Sequence, residues 1–318
     1  MTSSLCPFAA GTHAVGRIHD RLRQDTGVHR DKLPDGSPVW IIGGYEAVTN
    51  LLADHRMSAA KSDSTTNFRG QNLPRALDMN LLNIDGEQHR RVRRLATTAF
   101  APEHHAAHKR VVGDAAKRLI GDLPASGELD LMSGLCEPLP PRVIGTLLGL
   151  PQDKLDRFQT AARPMFAIDT SEEGYAIQGA LGAMLMLVAG AINDKRQSLP
   201  KLVREIISDV APVNYALRRF PLEDIAVNGI TIPRGETVIL SLRSANTDPA
   251  RGARPDLAFG RGRHFCIGAS LAETEAIEAL RHVFRRWPRL RPTKERSDLV
   301  LRHSWLAYSL AELSVYAD

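Results

Sequence analysis

Ten residues near the C-terminal end, Phe259-Gly260-Arg261-Gly262-Arg263-His264-Phe265-Cys266-Ile267-Gly268, constrain the fold of this chain more than any other stretch. Two glycines stand two positions apart, and a third follows the cysteine by two. Glycine takes left-handed backbone without a Cβ penalty, so this spacing describes a tight turn whose backbone can be approached closely. Residues 269–284 that follow have a helical pattern, so Cys266 projects from a loop just before a helix N-terminus. The positive end of that helix and the flanking Arg261, Arg263 and His264 favour thiolate over thiol. Such a thiolate is a nucleophile, a redox thiol or a metal ligand. The plainer alternative is a small cysteine buried beside a glycine turn. Cys6 and Cys136 have no such setting.

Composition narrows the classes of function. The chain has 318 residues, with 41 Lys+Arg against 36 Asp+Glu, a formal net charge of +5 and eleven histidines. That length buries a sizeable core. With 43% hydrophobic and 24% charged residues it is an ordinary globular sequence. An aromatic share of 5% disfavours a stacking platform for single-stranded nucleic acid. Three cysteines are too few and too scattered for a disulfide framework or zinc knuckle. The longest apolar run, 180–192, falls short of the roughly 20 residues that span a bilayer, and residues 1–10 lack the features of a signal segment. Walker, G-x-G-x-x-G and H-E-x-x-H motifs are absent. A cytoplasmic protein with no nucleic-acid or membrane partner is expected.

No repeat and no long linker divides the chain, so residues 1–318 are read as a single domain. Residues 38–42 suit a strand, and 45–53 a helix with Val48, Leu51 and Leu52 on one stripe. Further helices are predicted over 81–100, 103–123, 139–149, 178–193 and 199–210. After Pro212 the texture changes. Residues 225–232 and 237–241 look like two strands separated by the turn Pro233-Arg234-Gly235, and 299–315 like a hairpin.

The ten-residue loop resembles the haem-binding loop of the cytochromes P450, meeting their F-G-x-G-x-H-x-C-x-G pattern at every specified position. The resemblance implies that Cys266 is the proximal thiolate ligand of the iron of haem b (iron protoporphyrin IX), a ligation that favours O–O cleavage. It implies that Phe259, Gly260, His264 and Gly268 also belong to the cofactor site, with Gly262 and Gly268 letting the backbone approach porphyrin and sulfur. Asp35-Gly36 through Trp40, and on to Leu51-Leu52-Ala53-Asp54, resembles the family's first sheet and B helix. Asp85-Gly86-Glu87-Gln88-His89, followed by Arg93, resembles its C helix. There a His and an Arg four apart on one face hold a haem propionate by charge-assisted bonds, and Arg90, Arg91 and Arg94 form the solvated face. The stretch from Pro212 to Arg218, with Gly229 and Ile232-Pro233-Arg234-Gly235-Glu236, resembles the strand pair after the K helix. That match assigns Arg218 to a propionate, with Arg219 as the competing choice. The fold implied is mainly α with small β-sheets, a P450-like fold lacking much of the F/G, I-helix and meander regions.

The departures are equally informative. Residues 162–183 are too few for the F and G helices that roof the family's substrate pocket. Residues 185–190 resemble the start of the I-helix motif, but Ile192 and Asn193 replace the acid–alcohol pair that supplies protons to dioxygen. No catalytic residue is therefore assigned. Glu205-Ile206-Ile207-Ser208 aligns with the family's E-x-x-R, with Ser208 in place of Arg, which predicts a looser proximal side. The meander between Pro249 and Leu257 is cut short, and Glu273 stands where a basic residue usually follows Leu271-Ala272. The expected function is a P450-type haem-thiolate oxidoreductase (monooxygenase-like) acting on a small organic substrate in a specialised pathway. Dioxygen with ferredoxin-delivered electrons, peroxide, or a non-monooxygenase reaction would each serve. Arg261, Arg263, Arg281, Arg285 and Arg286 would meet an acidic ferredoxin. The alternative is a P450-derived auxiliary or haem-binding protein that assists a partner enzyme; the deletions favour it and Cys266 opposes it. Apolar surface left by the deletions would favour a homodimer or a partner enzyme.

Overall fold

The computed structural model describes residues 15–33, 36–66, 68, 78–151, 153–155, 157–158, 198–210, 213–295, 298–300 and 310–318. The helix expected over 178–193, with Ile192 and Asn193, lies outside the described residues, as does most of 299–315. The chain divides into two compact units, each assembled from two distant segments. One combines residues 1–98 with 213–267, the other 99–212 with 268–318.

In the first unit, Pro38–Ile42 is the middle of a three-stranded sheet. It runs antiparallel to Val28–Lys32, with Val28 opposite Ile42, and parallel to Thr237–Leu240, with Val39 opposite Thr237. A strand paired on both edges and covered on both faces reads as an unbroken apolar run, and Val39, Trp40, Ile41 and Ile42 are all buried. Pro38 is tolerated because it opens the strand. The Tyr45–Ala53 helix lays Val48, Leu51 and Leu52 into the same core as Trp40, Ile42, Val238 and Leu240. Each such aliphatic side chain contributes roughly 1.5–3 kcal/mol on burial. Residues 225–232, expected as one strand, form a hairpin instead. Ile225–Val227 pairs with Ile230–Ile232 across Asn228-Gly229, whose φ values are 50° and 82°. Two consecutive left-handed residues make the mirror-image turn that matches strand twist. The helix expected over 81–100 begins later, as Gly86–Thr98, because Gly86 enters it with φ 63°.

In the second unit, His105–Gly121 and Ala269–Arg286 pack together. Their buried Val112, Ala115, Ala116, Ala276, Ala279 and Val283 include small residues that allow close approach. Leu199–Val210 packs on Ala269–Arg286, burying Val203, Ile206 and Ile207, and Leu139–Leu147 packs on His105–Gly121. Ser314–Ala317 pairs antiparallel with both Gly127–Asp130 and Arg291–Pro292. The described end of the expected 299–315 hairpin thus finds its partners elsewhere in the chain. No helix among the described residues is long and apolar enough to cross a membrane.

Candidate functional site

The glycine-rich loop is closed on itself by main-chain hydrogen bonds. Gly260 N–H donates to Leu257 C=O at 2.8 Å, Phe265 N–H to Gly262 C=O at 3.0 Å, and Cys266 N–H to Phe259 C=O at 3.0 Å. Gly262–His264 forms a single 3₁₀ turn between them. Gly260 and Gly262 have φ of 71° and 73°. A Cβ on Gly260 would meet nothing, whereas one on Gly262 would lie 2.6 Å from the Leu52 carbonyl oxygen. The close approach that Gly262 permits is therefore to the end of the Tyr45–Ala53 helix. Gly268, with φ −89°, needs no glycine conformation. Cys266 is exposed and in no disulfide; Cys136 is buried, and burial pushes its thiol pKa well up, leaving it inert.

A charged corner lies against this loop, organised by Asp85 at the entry to the Gly86–Thr98 helix. Its carboxylate forms an ion pair with Arg263, with Nε 2.9 Å away and Nη2 donating at 3.3 Å, and it accepts from His264 Nε2 at 3.3 Å and from the N–H groups of Ala59 and Gly86 at 2.9 Å each. Burial alone would raise the Asp85 pKa. The donors from His264, Ala59 and Gly86 and the charge of Arg263 outweigh it and hold the carboxyl well below the ordinary range. His89, on the first turn of the helix, is 1% exposed, and its ring centroid sits 4.2 Å from that of His264. Burial first, then His264, lowers the His89 pKa to about 4, so the ring is neutral at pH 7. Its Nε2 is buried with no hydrogen-bond partner among the described residues. Such an orphan costs about 1–3 kcal/mol, which a ligand's polar group would recover.

The arginines divide between loop, corner and elsewhere. Arg93 donates through Nη2 to the carbonyl of Phe265 at 2.6 Å. Arg219 is 5% exposed and donates to the carbonyls of Leu217 and Arg218. Burial lowers its pKa to about 10, with Asp85 opposing that shift and Arg263 and Arg218 adding to it. Arg218 points to the Asn83 side chain and lies over the Phe68 ring at 5.4 Å. Of the residues singled out in the sequence, His89, Arg93, His264 and the Phe259–Cys266 loop are joined by direct contacts, whereas Arg218 reaches Asn83 and Arg219 turns back onto its own main chain. In the sequence Asp85 stands out only as part of the C-helix match. An Asp-Gly start to a basic helix, with an Arg beside the loop His, was the available signal.

The ligating atoms of Asp85, His89 and His264 lie within 4.8 Å of one another, a spacing open to a cation. Charge decides against it. One carboxylate among Arg219, Arg263 and Arg93, beside imidazoles whose pKa values burial lowers, leaves the corner positive. That field repels a dication and attracts carboxylates. An orphaned imidazole, guanidinium groups and an exposed Cys266 fit an anionic porphyrin whose iron takes a thiolate.

Known proteins agree with this fit. No family model matches the chain. It is 29% identical over 360 aligned positions to Cytochrome P450 monooxygenase PikC of Streptomyces venezuelae, covering 89% of this chain and 85% of that one. It is 26% identical to the Vitamin D(3) 25-hydroxylase of Pseudonocardia autotrophica, covering 92% and 91%. The solved structure of ligand-free P450 monooxygenase TamI matches with TM-score 0.82 at 25% identity, over 95% of this chain and 91% of that one. The chain is similar to cytochromes P450 over nearly its whole length and shares their fold. Haem b is the cofactor of those relatives. Against PikC it is internally short: 89% of 318 residues is about 283, so roughly 77 of the 360 aligned positions face gaps.

Two departures from the P450 pattern meet in the structure. Glu205, without the usual Arg, pairs with Lys201 at 3.8 Å. Its neighbour Arg204 places Nε 3.2 Å from Glu273, the acidic residue standing where a base is usual. The shortened meander is held by Tyr45, whose hydroxyl donates to Pro255 C=O at 2.7 Å and whose N–H donates to Asp248. Among the arginines expected to greet a ferredoxin, Arg263 turns inward to Asp85, Arg281 pairs with Glu278, and Arg286 caps Leu123 C=O. Arg261 and Arg285 are exposed, as are Arg90, Arg91 and Arg94 on the C helix.

Proposed function

We propose that this chain is a P450-type haem-thiolate oxidoreductase in which Cys266 ligates the iron and His89, Arg93, Arg219 and His264 hold the propionates. The buried His89 Nε2, partnerless beside His264 and next to the loop that exposes Cys266, carries this reading. Arg219 is put in the place that resemblance alone would give Arg218 because it is buried and feels the charges of Asp85 and Arg263, whereas Arg218 donates to Asn83 and lies over Phe68. When bound, the haem supplies the oxidising chemistry. The chain neutralises two propionates with guanidinium groups and fixes the sulfur's approach through the loop.

A small organic substrate in a specialised pathway is the class proposed. Relatives include a Mycinamicin IV hydroxylase/epoxidase of Micromonospora griseorubida and a 6-deoxyerythronolide B hydroxylase of Saccharopolyspora erythraea. Exposed Arg90, Arg91, Arg94 and Arg261 suit an acidic electron donor such as a ferredoxin. A second reading, an auxiliary protein without turnover, is favoured by the roughly 77 gapped positions and opposed by the intact loop.

The ferrous–CO difference spectrum of the hemin-reconstituted protein separates them. A red-shifted Soret band of thiolate type supports the enzyme, and its loss in Cys266→Ala identifies the ligand. A protein that takes up no hemin overturns the haem reading and leaves the auxiliary one. Arg219→Ala is expected to speed hemin loss to apomyoglobin about tenfold, the scale of one charge-assisted contact, and Arg218→Ala much less. Equal effects would remove Arg219 from the site.

A further inference from the structure

We infer that Asp85 is a positioning residue: acting through Arg263 and His264, it holds the Cys266 loop at the place where the thiolate must be presented. Its consequence for the cofactor depends on the haem reading, while the tie itself stands on geometry.

The Cys266 side chain lies at the surface of its loop. It is exposed, and Phe265 before it is 44% exposed. The hydrogen bonds within the loop shape it but do not anchor it. Anchoring comes from outside at two points. Arg93 grips the Phe265 carbonyl at 2.6 Å. On the other side Arg263 and His264 both converge on Asp85, at 2.9 and 3.3 Å. Asp85 is itself fixed, because the N–H groups of Ala59 and Gly86 each donate to it at 2.9 Å. Arg263 continues past the carboxylate to the Met57 carbonyl at 2.6 Å. Three segments, 57–59, 85–86 and 263–264, are thus joined at one side chain.

A carboxylate offers about four lone-pair directions and no donor, and here Ala59, Gly86, Arg263 and His264 use them. An amide of the same shape offers one acceptor oxygen and turns an N–H₂ toward groups that are themselves donors. Removing the charge also takes away the carboxylate that Arg263 pairs with.

The test uses the full chain, as parent, Asp85→Asn, Asp85→Glu, Arg263→Met and the double variant Asp85→Asn/Arg263→Met. In haem-free protein, peptide-resolved hydrogen exchange should quicken about tenfold over 257–267 in Asp85→Asn, with 45–53 unchanged. In hemin-loaded protein, a substantial fraction of the ferrous–CO band should leave the thiolate position, and Asp85→Glu should recover part of it. Adding Asp85→Asn to Arg263→Met should change far less than adding it to the parent, because the two act as one unit. Loop exchange equal to the parent's, or acceleration spread evenly over the whole first unit, overturns the inference. Arg263→Met carries the same loop expectation and decides the matter if Asp85→Asn does not fold. A parent that takes no hemin defeats the haem reading, and the exchange experiment still judges the tie.

Discussion

At φ 73° Gly262 is set so that any Cβ would lie 2.6 Å from the Leu52 carbonyl oxygen and 3.0 Å from the Ala53 Cα. Gly260, at φ 71°, has open space around the same position. The two glycines share one backbone requirement and differ in a second. Gly260→Ala should cost only the left-handed strain, about 1–2 kcal/mol. Gly262→Ala adds a clash with main chain that cannot rotate away, and should cost about 3 kcal/mol or more. Urea unfolding of the haem-free variants checks the order, and equal costs would show that the helix end yields. The glycine pattern and Cys266 were legible in the sequence because local spacing encodes a turn. Asp85 was not, because its donors come from Ala59, 26 residues away, and His264, 179 residues away. Which of Arg218 and Arg219 is the more enclosed was illegible for a different reason. In extended backbone, adjacent side chains point to opposite faces. Arg219 forms a β-bridge with Val238, and only that register shows which face is buried.

On the Ala269–Arg286 helix, Glu275 is buried, and burial lifts its carboxyl pKa to about 8. Its folded pKa lies above the ordinary value of 4.5. The neutral acid is therefore at no disadvantage below pH 4.5, and stability falls as pH rises through the folded pKa. The full loss is up to about 5 kcal/mol above pH 8, at about 1.4 kcal/mol per unit. Glu275→Gln should match the parent near pH 4 and exceed it clearly at pH 8.5 in chemical denaturation. A gap that does not grow with pH would mean the carboxyl is solvated. The Arg204–Glu273 pair on the neighbouring faces is mostly exposed and should couple by no more than about 1 kcal/mol in a double-mutant cycle. Helices 45–53 and 199–210 were read correctly because their apolar stripes are regular. The Asn228-Gly229 turn was missed because the isoleucines and valine around it form an apolar run that reads as one strand, though Asn-Gly is itself a hairpin signal.

Across the whole chain, family and fold were legible from motifs, but the division into two units was not. Its boundaries at 98, 212 and 267 are set by contacts between segments far apart in sequence. The units also carry opposed titrations. In the first, His19 is 2% exposed with Nδ1 3.0 Å from Ser241 Oγ. Burial, with Arg243 and Arg23, lowers its pKa to about 3. A folded pKa below the ordinary 6.5 means that this contribution is complete above pH 6.5 and is lost as pH falls toward 3. His89, lowered to about 4, acts in the same direction. In the second unit Glu275 acts the other way. Raising pH from 5 to 8 should therefore strengthen the first unit by about 2 kcal/mol through His19 and weaken the second by about 4 kcal/mol through Glu275. Hydrogen exchange corrected for intrinsic rates should show protection rising over 38–53 and 237–246 while it falls over 105–121 and 269–286. In Glu275→Gln the second trend should vanish and the first persist. Protection moving in the same direction in both units would show that they open as a single cooperative body, with neither titration expressed locally.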